Sequence, residues 1–203
     1  MSLTSVACKI MEEFIQNDTL QYLKSHNILT NKQFGFINGS STSLQLLTIM
    51  DEWTEMIERG KEVDVVYFDF QKAFDMVPHN VDNLVVDWIA DFLKNRKQQV
   101  LVNGSKSSVF DVNSGAPQGS VLRPLLFLIY INLMVEKFGE NGLYLFADDL
   151  KVFQEKTSEE DTEKLQNKID KMYDWTQYSL LKFHPKKCKV STLSSKKKIT
   201  KNT

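Results

Sequence analysis

Two acidic sites sit inside apolar, strand-like stretches of this chain. Asp69 ends the run Val65-Val66-Tyr67-Phe68, and Asp148-Asp149 separate Leu143-Tyr144-Leu145-Phe146-Ala147 from Leu150-Lys151-Val152-Phe153. Short runs of β-branched and aromatic residues bounded by polar residues predict strands. A carboxylate embedded in such a strand is costly unless something compensates it. Asp is a common turn former, and a turn alone accounts for Asp148 or Asp149 taken singly. Two adjacent like charges at a tight turn repel, which favours a cation bound nearby. Magnesium accepts a few hard carboxylate oxygens and fills its octahedron with water and substrate phosphate. Two such ions about 4 Å apart stabilise the attacking and leaving oxygens of an in-line displacement. One aspartate from a strand end and a pair from an adjacent hairpin match that need, so the pattern points to phosphoryl or nucleotidyl transfer.

The rest of the chain supplies a scaffold. Val6, Ile10, Phe14 and Tyr22 fall near helical spacing, with Asn17-Asp18 as a potential break; Leu46, Met50, Trp53 and Ile57 mark a second helix and its core stripe, stopped by Gly60. Glu62 to Phe70 reads as a buried strand, and Leu84, Trp88, Ile89 and Phe92 as a short helix. Gln99–Val102 and Val109–Val112 flank Asn103-Gly104, a hairpin signal with a connection longer than two residues. A loop over 113–120 opens into an apolar helix, and strands follow at Leu143–Phe146 and Leu150–Phe153. Thr157-Ser158-Glu159-Glu160 predicts a capping box ahead of a helix striped by Leu165, Ile169, Met172, Tyr173, Thr176 and Leu180. Hairpins among helices predict an α+β fold rather than a doubly wound sheet.

Bulk properties exclude several classes. The 203 residues are 42% hydrophobic, enough for a sizeable core and too apolar for wholesale disorder. Cys8 and Cys188 build no disulfide framework and lack a CxxC neighbour for zinc, so an intracellular setting, nuclear or cytoplasmic, is the expectation. Lys9, Glu12 and Glu13 interrupt any signal-peptide core, and Pro124–Val135 falls short of the roughly 20 apolar residues of a membrane span. Lys+Arg 25 against Asp+Glu 26 counts mildly against a general nucleic-acid coat protein. His26, His79 and His184 are scattered away from the acidic blocks, which leaves a two-metal nuclease short of ligands.

Assembled in order, the blocks resemble a known family. Phe68-Asp69-Phe70-Gln71-Lys72-Ala73-Phe74-Asp75, Ser114-Gly115-Ala116-Pro117-Gln118-Gly119-Ser120-Val121-Leu122, Phe146-Ala147-Asp148-Asp149 and Leu181-Lys182-Phe183-His184-Pro185-Lys186-Lys187-Cys188 are similar to consecutive blocks of the reverse transcriptases of non-LTR (LINE-type) retrotransposons. Gln33-Phe34-Gly35-Phe36 and Gly39-Ser40-Ser41 resemble that family's Q-x-G-F-R-x-G-R-S segment. The resemblance implies a right-hand polymerase palm, a ferredoxin-like antiparallel sheet with packed helices, with residual fingers and no thumb. It implies RNA-directed DNA synthesis with two Mg2+ ions, Mn2+ as an alternative, on an RNA template, a DNA primer and deoxynucleoside triphosphates. Asp69, Asp148 and Asp149 are then the metal ligands, with the Phe70 backbone oxygen beside them. Phe74 takes the place of the ring that excludes a 2′-OH, although on periodicity alone it reads as a core aromatic. Gln118 and Gly119 lie along template and incoming nucleotide, and Lys187 assists the leaving pyrophosphate, where its plainer reading is a solvated lysine.

The departures shape the rest of the expectation. Ile37 stands where the family has Arg, Arg123 where it has Gly, and Leu133 where it has Asp; His184 replaces the usual Asn; and the chain between Asn80 and Val81 lacks a helical stretch. The domain reading is residual fingers and palm-entry helices over 1–60, palm over 61–193 and a lysine-rich disordered tail over 194–203. The functional reading is a truncated reverse transcriptase with impaired activity. The alternative is an inactive palm remnant that binds nucleic acid weakly.

Overall fold

The computed structural model of the chain describes residues 5–71, 73–75, 93–112, 115–179 and 181–195. The expected helix around Leu84, Trp88, Ile89 and Phe92, the junction at Asn80-Val81 and residues 196–203 of the tail lie outside them. In chain order the elements are α1 (Val6–Ser25), α2 (Thr42–Glu58), β1 (Glu62–Phe68), β2 (Phe70–Gln71), a single 3-10 turn (Ala73–Asp75), β3 (Arg96–Gln98), β4 (Leu101–Val102), β5 (Ser105–Lys106), β6 (Phe110–Val112), α3 (Leu122–Phe138), β7 (Leu143–Phe146), β8 (Asp149–Lys156), α4 (Glu159–Tyr178), β9 (Lys182–Phe183) and β10 (Lys189–Leu193). The chain forms two compact units, Met1–Ile28 with Lys72–Tyr130 and Leu29–Gln71 with Ile131–Thr203. Both draw on residues from either side of position 60.

The second unit holds the main sheet, ordered β10-β1-β8-β7, with every neighbouring pair antiparallel. This is the α+β arrangement expected. Val63, Val65, Val66 and Phe68 of β1 are all buried, so the strand is covered on both faces, as its unbroken apolar run requires. Ile49 and Trp53 of α2 pack with Val63, Val65, Tyr144 and Phe153; the Trp53 and Phe153 rings meet edge-on at 5.8 Å, and Tyr144 stacks on Phe153 at 5.9 Å. Asp64 is buried on β1 because Thr192 Oγ1 donates to it at 2.5 Å and Lys156 Nζ lies 3.2 Å away. The open edge of β7 is covered by residues 32–34: Phe34 N donates to Leu145 O, and Leu145 N to Lys32 O, each at 2.9 Å. Such an edge left bare is a template for unwanted pairing.

Three local expectations are corrected. The buried face of α2 is Gln45, Ile49 and Trp53, whereas Leu46 and Met50 are exposed. Trp53 of the expected stripe is buried and Ile57 packs against the core; apolar residues crowd more than one face of this helix, so spacing alone misplaced its first two turns. The helix α1 runs through Asn17-Asp18 without a break. Ser158, not Thr157, caps α4; Asp161 accepts from the backbone N–H groups of both Thr157 and Ser158, at 3.0 and 3.1 Å. These bonds, with Lys164 beside it, pull the Asp161 carboxyl down to about 2.

The first unit contains α1 and two nested hairpin ladders, β3 with β6 and β4 with β5. The tip between β4 and β5 is a two-residue turn, shorter than expected, with Asn103 at φ 49° and Gly104 at φ 80°. Asn-Gly adopts this conformation readily. Glu12 of α1 is buried and accepts from Ser120 Oγ at 2.7 Å and Val121 N at 2.6 Å. No helix among the described residues is long and apolar enough to cross a membrane.

Candidate active site

The sheet register brings the acidic residues of the second unit to one end of the sheet. Phe68 of β1 pairs with Leu150 of β8. One step beyond that pair lie Asp69 on one strand and Asp149 on the other. Phe146 pairs with Asp149, so Ala147-Asp148 forms a two-residue turn between β7 and β8. Ala147 sits at φ 53°, in the left-handed region that side chains rarely adopt. Asp69 and Asp148 are half-buried, and Asp149 is exposed. Burial raises the Asp148 carboxyl above its ordinary range; the charges of Asp149 and Asp69 push in the same direction, while its own backbone amide and Lys187 oppose them.

Lys187 belongs to this cluster. Its Nζ lies 3.1 and 3.2 Å from the two carboxylate oxygens of Asp69. The chain reaches that position because β9 pairs with β2 and His184 N donates to Asp69 O at 2.8 Å. The following turn then bonds Lys187 N to His184 O at 2.9 Å. Phe70 is buried, with its ring stacked on Phe183 at 5.0 Å. Lys151, two residues past Asp149, donates to Gln45 Oε1 at 3.1 Å; burial lowers its pKa, and the charge of Asp149 opposes that shift.

Among the described residues no group of three or more His, Cys, Asp and Glu side chains is gathered closely enough to hold a metal ion. The donor chemistry nevertheless suits one. The charges of Asp149 and Asp69 both bear on the ionisation of Asp148, and an ammonium group already sits against Asp69 as a counter-charge. Hard oxygen donors of this kind suit a small divalent cation.

Phe74, Gln118 and Gly119 belong to the first unit. Phe74 is half-buried, 4.5 Å ring to ring from Phe127, with the Arg123 guanidinium over its face at 5.3 Å. Arg123 in turn pairs with Asp75 at 2.9 Å. Ala116 N donates to Phe74 O at 3.3 Å, and Gly115 lies so close to Asp75 that a Cβ would meet its carbonyl oxygen at 2.7 Å. The Gly115–Ser120 loop is thereby tied to the Phe74 turn, and Gln118 and Gly119 are exposed on it.

A family profile described as reverse transcriptase (RNA-dependent DNA polymerase) matches residues 1–201. The chain belongs to that family. As a reverse transcriptase domain it is related to non-LTR retrotransposon polymerases. It is 29% identical over 184 residues to the RNA-directed DNA polymerase from mobile element jockey of Drosophila funebris, covering 82% of this chain and 20% of that protein. It is 28% identical over 174 residues to the probable RNA-directed DNA polymerase from transposon X-element of Drosophila melanogaster, covering 79% of this chain and 19% of that protein. The chain spans about a fifth of the length of these relatives. Among solved structures it resembles Candida tropicalis telomerase in complex with a TWJ fragment of telomeric RNA, at TM-score 0.64 and 12% identity over 91% of this chain and 33% of that one. The apo telomerase of the same organism matches at TM-score 0.62 and 13% identity, over 91% and 36%. The polymerase palm expected from the motifs is the fold observed. Reverse transcriptases generally use divalent metal ions.

Two residues with structural claims on these sites were not singled out from the sequence. Glu12 holds the start of the loop-to-helix junction at Ser120-Val121, and Gln33 bonds the backbone of Ala147 from 114 positions away. In the sequence Glu12 only interrupts an apolar N-terminal stretch, and Gln33 is one letter of a motif.

Proposed function

We propose that this domain catalyses RNA-directed DNA synthesis by two-metal nucleotidyl transfer, with Asp69, Asp148 and Asp149 as the metal-holding carboxylates. Mg2+ is the fitting ion and Mn2+ its alternative; when bound, such ions supply charge stabilisation to the attacking and leaving oxygens. The observation that carries this reading is the register that puts Asp69 and Asp149 one step past the pair Phe68–Leu150, with Asp148 in the adjoining turn. Asp69 and Asp148 keep their carboxylates half-buried, where electrostatic interactions act more strongly than in bulk water. On this reading the backbone oxygen of Phe70 would add a ligand. Lys187, on its turn beside Asp69, holds a proton and a positive charge where pyrophosphate would leave. On the family resemblance, Phe74 would be the ring that excludes a 2′-OH, and Gln118 and Gly119 would meet template and incoming nucleotide. An RNA template, a DNA primer and deoxynucleoside triphosphates are the substrates this chemistry takes; relatives described as RNA-directed DNA polymerases, and a fold neighbour described in complex with telomeric RNA, support that choice.

Primer extension with oligo(dT) on poly(rA) in Mg2+ tests the reading. Incorporation that Asp148→Asn abolishes is the expected result. Salt-dependent RNA binding without any metal-dependent incorporation would replace it with a binding module.

A further inference from the structure

We propose that Gln33 is a positioning residue of the acidic turn: its side-chain amide closes on both backbone groups of Ala147 and so fixes the turn from which Asp148 and Asp149 are presented. The inference rests on the two-metal reading above and assigns to that centre a residue outside its acidic blocks.

The geometry is specific. Gln33 Oε1 accepts from Ala147 N at 2.9 Å and from Gly35 N at 2.7 Å, while Gln33 Nε2 donates to Ala147 O at 3.3 Å. The side chain therefore mimics a strand neighbour to a residue that has left the ladder. Its amide has one workable orientation, because a flip would set NH2 against two N–H groups. Gln33 itself is buried, at 5% exposure, and bridged to Leu145 on the edge of β7. The Lys32 carbonyl and Phe34 N–H bond Leu145 on either side of that bridge, so the amide is delivered by a fixed backbone rather than by a loose loop. Gly35 completes the contact: a Cβ there would lie 2.2 Å from Ala147 N. Only a glycine admits this approach.

The turn requires such support. Ala147 holds φ 53° without the glycine or asparagine that makes such a turn easy. Backbone held in a sparsely populated region persists where its surroundings over-determine it, and such places cluster at functional sites. Outer groups that orient metal-binding side chains typically change metal affinity about 10–100-fold when removed.

The test compares the full chain with Gln33→Met, which keeps the length and loses the hydrogen bonds, and with Phe153→Leu, which loosens the core without touching the turn. Amide exchange across residues 146–149 should quicken about tenfold or more in Gln33→Met and stay slow in Phe153→Leu. Mn2+ affinity, followed by water-proton relaxation below the unfolding transition, should weaken about tenfold in Gln33→Met alone. Unchanged exchange at the turn overturns the proposal, and so does an equal loss of Mn2+ affinity in both variants. If Gln33→Met does not fold, Gln33→Asn decides the matter by the same two measurements, since the same amide one methylene shorter cannot span both groups. A wild-type chain that binds no Mn2+ sinks the two-metal reading instead, and the exchange rates then decide alone whether Gln33 holds the turn.

Discussion

The chain makes two hairpin turns of the same length with opposite economies. At Asn103-Gly104 both central residues take positive φ, the residue types suit that conformation, and a Cβ built on Gly104 would meet nothing within 4 Å. At Ala147-Asp148 the left-handed position falls to an alanine, and the turn is held from outside by Gln33 and by the close approach of Gly35. The first turn exists because its own residues favour it. The second exists because the surrounding structure insists on it, and it carries the carboxylates. A turn that were merely a connection would gain from the cheaper chemistry of the first.

Substitutions can break this contrast, and the largest effect lies in the core beneath it. Phe153→Ala should cost about 3–5 kcal/mol in urea unfolding yet leave the Mn2+ affinity of the folded fraction unchanged. A matching loss of affinity would mean the turn has no support independent of the sheet. Gly35→Ala should cost about 1–3 kcal/mol or more through overpacking against Ala147 and should abolish incorporation in the primer-extension assay. Retained activity would show that the turn tolerates displacement.

Next comes a direct exchange of turn chemistry. Ala147→Gly should raise stability by up to about 1 kcal/mol by relieving the left-handed alanine, whereas Asn103→Ala should lower it by about the same amount. If both variants move stability the same way, the two turns are not opposites. Lys187→Met should alter stability by less than about 1 kcal/mol, since the lysine end of that pair is exposed and Asp69 is only half-buried. It should tighten Mn2+ binding by freeing Asp69 while slowing incorporation; weaker binding would remove Lys187 from the site.

The smallest effect concerns the α4 cap. The Asp161 carboxyl is lowered in the fold from 3.8 to about 2, so its contribution is fully present above the ordinary carboxylate range and is lost as pH falls between those values. Asp161→Asn should therefore lower Tm slightly at pH 7 and converge with wild type near pH 2. A constant difference across that range would mean the cap acts without its charge.

What the sequence made legible followed from locality. The strands are built on the apolar runs Val65–Phe68, Leu143–Phe146 and Leu150–Phe153, and the acids end or join these runs, so strand type and acidic hairpin could both be read directly; the first strand stops at Phe68 rather than Phe70, and the last runs on to Lys156. The α2 face could not, because Leu44, Leu46, Leu47 and Met50 are apolar and exposed while Gln45 is polar and buried. Its buried side is selected by Val63, Val65 and Phe153, which lie elsewhere in the chain. The capping box slipped by one residue because Thr157 and Ser158 are equally good candidates until the carboxylate of Asp161 chooses. Gln33 was illegible for the strongest form of the same reason: a glutamine signals nothing about the backbone amide it meets over a hundred residues later. The motifs identified the acids; the tertiary fold identified what holds them.

The contact between Lys187 and Asp69 has a consequence for how this domain comes into being. Clustered like charges ordinarily make a fold wait for its ion, as small metal-dependent domains do. Here the polypeptide brings its own counter-charge, on a turn tied by backbone to the chain segment that bears the acid. On the two-metal reading proposed above, the sheet would close around its carboxylates without waiting for an ion, and ion binding would follow folding rather than drive it.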